Sequence, residues 1–86
     1  MPVSNMSLVE RIARILAGRA LSINAEGEDA SASREVDASW RDHRGDALSI
    51  LHTLREPDPA MADAGDVEIW QKMVEAALRG AEADAS

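Results

Sequence analysis

The chain has no cysteine, no phenylalanine and no tyrosine, and its only aromatic side chains are Trp40 and Trp70. Without a thiol there is no disulfide, no thiolate metal ligand and no cysteine nucleophile, a pattern that fits a reducing compartment. So few aromatic side chains, set against abundant Ala, Leu and charged residues, favour helix over strand. Lysine occurs once, at Lys72. A phosphate-binding loop needs clustered glycines followed by lysine, and Lys72 falls instead in the middle of a helical pattern. No run approaches the roughly 18 apolar residues of a membrane span, and a basic segment leading into an apolar stretch is missing at the N-terminus. The expected location is the cytoplasm, away from membranes.

What is present is short and acidic. Eighty-six residues hold one domain, and about fourteen large apolar side chains, each stabilising by roughly 1.5 to 3 kcal/mol when buried, must offset the ordering entropy of the whole chain. The balance is marginal, which makes self-association a natural supplement. The net charge of −7 is uneven: residues 1–23 carry +2, residues 24–46 carry −4 and residues 47–86 carry −5. Phosphate backbones are bound by neutralising them, so this balance argues against nucleic acid or an anionic membrane as partner.

Capping signals and periodicity predict four helical segments. Ser7 and Glu10 have capping-box spacing, and the first helix runs from Leu8 to about Leu21 with Leu8, Ile12, Ile15 and Leu16 on its apolar face. Residues 24–35 contain no large apolar side chain and read as a flexible loop. The second helix spans Val36 to Leu54, with Trp40, Ala47, Leu48, Ile50, Leu51 and Leu54 on one half of the wheel. Gly45 alternatively breaks it, leaving Trp40 on a separate short turn. Pro57 ends this helix, Asp58 and Pro59 start a short one to Ala64 that presents Met61, and Gly65 closes it as a left-handed C-terminal residue. Asp66 caps the last helix, whose stripe is Val67, Trp70, Val74, Ala77 and Leu78, with Gly80 as its end. Two acid-before-base pairs, Glu68 with Lys72 and Glu75 with Arg79, support its outer face.

Catalytic and metal-binding patterns are missing. His43 and His52 are nine positions apart, which on one continuous helix points them to opposite sides. No serine stands in a nucleophile elbow, and the E-G-E-D segment lacks the register of a calcium loop. The expectation is therefore no catalytic residue, no metal, no cofactor and no small-molecule substrate. The widest apolar arc lies on the last helix, where Ile69, Trp70, Met73 and Val74 can serve a core and a protein interface together.

The segments L-R-E-P-D-P-A-M-A-D-A-G (Leu54 to Gly65), W-Q-K-M-V-E-A-A-L (Trp70 to Leu78) and V-E-R-I-A-R-I-L (Val9 to Leu16) resemble a set of small proteins of unassigned function encoded by bacteria and their phages. Those proteins pair an arginine-glutamate-proline turn with a downstream tryptophan, methionine and alanine-rich helix. The resemblance covers about forty residues, consists of helix stops, starts and packing faces, and implies a bacterial or prophage origin without an activity.

The sequence thus predicts an all-α fold, a small helical bundle of three main helices plus one short connecting helix. It forms a single domain over residues 1–80, with a loop at 24–35 and a disordered tail at 81–86. The leading functional expectation is a non-enzymatic interaction module that binds a protein partner or itself, as a homodimer. An acidic prophage-type inhibitor imitating nucleic acid is the first alternative, and a small carboxylate-dependent enzyme built on Asp42, His43 and Asp46 is the second. Helix-turn-helix DNA binding fails on charge, since the last helix sets Lys72 and Arg79 against Asp66, Glu68 and Glu75.

Overall fold

The computed structural model describes residues 3–25 and 29–85, which form helices and their connections and contain no strand. Helix α1 is Leu8–Ala25, α2 is Asp29–Ser39, α3 is Arg44–Leu54, α4 is Pro59–Ala64 and α5 is Val67–Ala85, with a 3₁₀ turn at Trp40–His43 between α2 and α3. The fold is an all-α bundle, as the composition requires.

Each of the three predicted caps forms, at Ser7, Asp58 and Asp66, while the helix start expected at Val36 falls inside α2. The Ser7 hydroxyl accepts from the Glu10 backbone N–H at 3.1 Å, Asp58 Oδ1 accepts from the Met61 N–H at 2.9 Å, and Asp66 Oδ1 accepts from the Ile69 N–H at 3.1 Å. These bonds satisfy donors that the first turn of a helix leaves without an intrahelical partner. The Glu10 carboxylate turns away from the cap and takes the Arg14 Nε–H at 2.8 Å.

The ends and joints differ from the sequence expectation in four places. Where a loop is expected over residues 24–35, α1 continues to Ala25 and α2 begins at Asp29, residues 26–28 lying outside the described residues. Ala, Arg and Glu in this segment are adequate helix formers. The α2 register is tied to the bundle by Val36, which packs against the core, and by Asp37, whose carboxylate takes the Arg14 guanidinium at 2.6 Å. The second predicted helix is broken, but at Trp40–His43, one residue before Arg44, so Trp40 sits on its own turn. Gly65 is extended, with φ −158° and ψ −163°, so the left-handed closure expected there does not form. Finally, α5 passes through Gly80 to Ala85, and Ala81, expected in a disordered tail, is buried in the core.

The buried centre consists of Val9, Ala13 and Ala17 from α1, Trp40 from the 3₁₀ turn, Ala47 and Leu51 from α3, and Val74, Leu78 and Ala81 from α5. Within each helix, spacings of four, or of four and three, place the buried residues on one face. On α1 this face is rotated from the expected one. Leu8, Ile12 and Leu16 are half-buried at its flank, and Ile15 is 64 % exposed. Alanines bring the helix backbones closer together than leucines would, so the smallest residues take the centre of the contact. Trp40 closes the open end of this alanine layer, with the Arg41 guanidinium 4.6 Å and the Arg14 guanidinium 5.6 Å from its ring centroid, within cation–π range.

A second fastening joins the ends of the bundle. An Arg44 Nη–H at the start of α3 donates to the carbonyl oxygen of Ala81 near the end of α5. A cation there also complements the negative end of the helix dipole.

Against this small centre stands a large surface. The radius of gyration is 14.9 Å, where about 12 Å is expected for 86 residues packed as a globule. The accessible surface is 6435 Å², where about 4,900 Å² is expected for a monomer of this mass. Exposed apolar side chains include Ile15 on α1, Met61 on α4 and Val67, Ile69 and Met73 on α5, and no residue of α4 is buried.

A candidate protein-docking groove

The α3–α4 and α4–α5 connections shape the most apolar concavity described. Pro57 ends α3, Asp58 starts α4, and extended Gly65 delivers the chain to Asp66 and α5 with only two residues between the helices. The short α4 therefore stands beside the first turns of α5, and the space between them is a groove of about 320 Å³ lined chiefly by Pro57, Met61, Val67, Ile69, Trp70 and Met73.

One wall is rigid. The Trp70 indole Nε1–H donates to the Leu54 carbonyl oxygen at 2.6 Å, and Leu54 is the last residue of α3, whose carbonyl has no intrahelical partner. The indole thus closes one helix while belonging to another, which fixes its ring as the half-buried back of the groove. The other wall is open: Ile69 and Met73, one turn apart on α5, are 56 % and 63 % exposed, and Met61 and Val67 are exposed as well.

Of the four predicted interface residues, Ile69, Trp70 and Met73 meet in this groove and Val74 does not. Val74 is 3 % exposed and belongs to the core. The reason is angular: Val74 follows Met73 by 100° around the helix and so turns from the groove into the bundle. Met61 was visible as the apolar residue of the short helix. Pro57 and Val67 were not visible as lining residues, because one reads as a helix stop and the other as part of the packing stripe.

The surface around the groove is net acidic, with Arg55 and Lys72 at its margins. Residues 56–68 carry Glu56, Asp58, Asp63, Asp66 and Glu68 and no basic residue, and all five acids are exposed.

A second concavity, of about 310 Å³, is lined by His52, Arg55, Glu75, Leu78 and Arg79. Glu75 bridges from α5 to Arg55 at 3.6 Å, across the helices and in place of the expected pairing with Arg79 along α5. It offsets one of the two guanidinium groups that line that concavity. Neither concavity is lined by His43, and Asp42 and Asp46 beside it are exposed. Among the described residues no group of three His, Asp or Glu side chains is placed to hold a metal ion. No helix there is long and apolar enough to cross a membrane. Among the described residues the one clear pKa displacement is upward, at Arg14, caused first by its hydrogen bond to Asp37 and then by that to Glu10. The same two bonds hold the guanidinium over Trp40 and so serve the fold.

Comparison of the chain with protein-family models, with curated proteins and with solved structures finds no match.

Proposed function

We propose that the chain is a non-enzymatic protein-interaction module and that the groove between α4 and α5 is its docking surface. The observation that carries this reading is the adjacency of Ile69 and Met73, both more than half exposed, in front of a tryptophan whose orientation is already set by a hydrogen bond. Aromatic residues and methionine are enriched at the centres of protein interfaces, and a side chain held in place before binding loses less entropy on binding. Methionine adds adaptability, since its unbranched thioether fits irregular surfaces.

A photo-crosslinking side chain at position 73 tests this in cells expressing the chain, with the same side chain at exposed Ser49 on α3 as control. The expected result is a protein adduct of discrete mass from position 73, lost when Ile69→Asp is added, and none from position 49. Equal labelling from both positions, or none from position 73, overturns the reading.

A further inference from the structure

Resting on that reading, we infer that the occupant of the groove is a second copy of the chain, docked head to tail through the exposed face of α1 centred on Ile15. Three observations converge on this arrangement. Ile15 is 64 % exposed, and Arg11 and Arg19, one turn before and one turn after it, are exposed on the same helical face. The chain therefore carries an apolar ridge between two positive charges as well as an apolar groove beside a run of five acids. The two match in both hydrophobicity and sign, and complementarity of sign selects partner and register.

The second observation is area. The surface exceeds the monomer expectation by about 1,500 Å², while a stable interface covers about 800 Å² on each partner. In a head-to-tail assembly every interior copy gives one ridge and one groove, so a stable pair of interfaces takes about 1,600 Å² per copy, an area this extended surface can supply. The third observation disfavours the symmetric alternative. Pairing groove to groove would set the five acids of residues 56–68 against the same acids of the other copy, with only Arg55 and Lys72 at the two ends of that run to offset them. Ridge-to-groove contact uses two different patches, so it closes into a ring or propagates as a filament according to the rotation between copies.

The test uses two variants at exposed positions, Ile15→Asp, which spoils the ridge and leaves the groove, and Met73→Asp, which does the reverse. Both are checked by circular dichroism for unchanged helix content. In sedimentation velocity the wild-type chain is expected to associate with rising concentration, and less strongly as salt rises. Each variant alone is expected to stay monomeric, with association weakened about tenfold or more. Mixed, the two variants form a one-to-one dimer and nothing larger, because a single intact ridge-groove pair remains. A wild-type chain that stays monomeric at high concentration, association that survives Ile15→Asp, or a mixture that does not dimerise overturns the inference. If the wild type is monomeric but position 73 still crosslinks to another protein, the docking reading stands and the occupant is that protein. If both experiments are negative, both readings fall.

Discussion

Leu51 and Ile15 are similar in size and opposite in circumstance. Leu51 is fully enclosed among α1, the Trp40 turn and α5, so Leu51→Ala removes transfer energy and leaves a cavity. The expected loss is about 2–5 kcal/mol, a large share of the ~4–13 kcal/mol typical for a chain of this length. Ile15→Ala is expected to change the stability of the monomer by less than about 0.5 kcal/mol, as an exposed substitution should, when both variants are compared at a concentration too low for association. Urea midpoints of the two variants give the comparison. At this scale the sequence was legible where size and burial agree, as for Leu51, Val74 and Leu78. It misled on α1, because hydropathy ranks Ile15 above Ala13 and Ala17, whereas the closeness of the helices rewards the smaller side chains. Trp70 was legible as an anchor, but its hydrogen bond to Leu54 was not, since a bond between residues sixteen apart depends on how α3 and α5 lie against one another.

Along the elements, beginnings were read more accurately than ends. Ser7, Asp58 and Asp66 act within three residues of themselves, and that short reach is why the sequence exposes them. Ends depend on packing. Gly80 looks like a stop, yet the helix continues because Ala81 is docked in the core and its carbonyl is held by Arg44. This makes the two neighbours opposite in sign as substitution sites. Gly80 has ordinary helical surroundings, with no positive φ and nothing within 4 Å of an added Cβ, so Gly80→Ala is expected to stabilise by about 0.5–1 kcal/mol. Ala81→Leu forces extra volume into a filled site and is expected to destabilise by about 1–3 kcal/mol. Thermal unfolding of the two variants decides it, and a negligible effect of Ala81→Leu would mean that the last turns of α5 are not docked. Helix α2 escaped periodicity analysis for a related reason, since Val36 and the ion pair of Asp37 with Arg14 are too sparse to make a stripe.

At the scale of the molecule, the excess surface ties folding to assembly. If copies cover one another's grooves, the native state is favoured by mass action, and the thermal midpoint is expected to rise with protein concentration. Scanning calorimetry over a broad concentration range measures this, and the Met73→Asp variant should show a midpoint independent of concentration. The all-helical architecture was legible from composition, while the groove was not, because its walls come from a stop signal, a linker and two helices whose angle no local pattern encodes. The alanine layer at the centre has a practical consequence for mapping this protein by mutation. Ala13, Ala17, Ala47 and Ala81 supply four of the nine buried residues among those described. An alanine scan would leave all four untouched and report only the five larger buried side chains, about half of the centre. Only a scan that enlarges side chains would find where its tolerance ends.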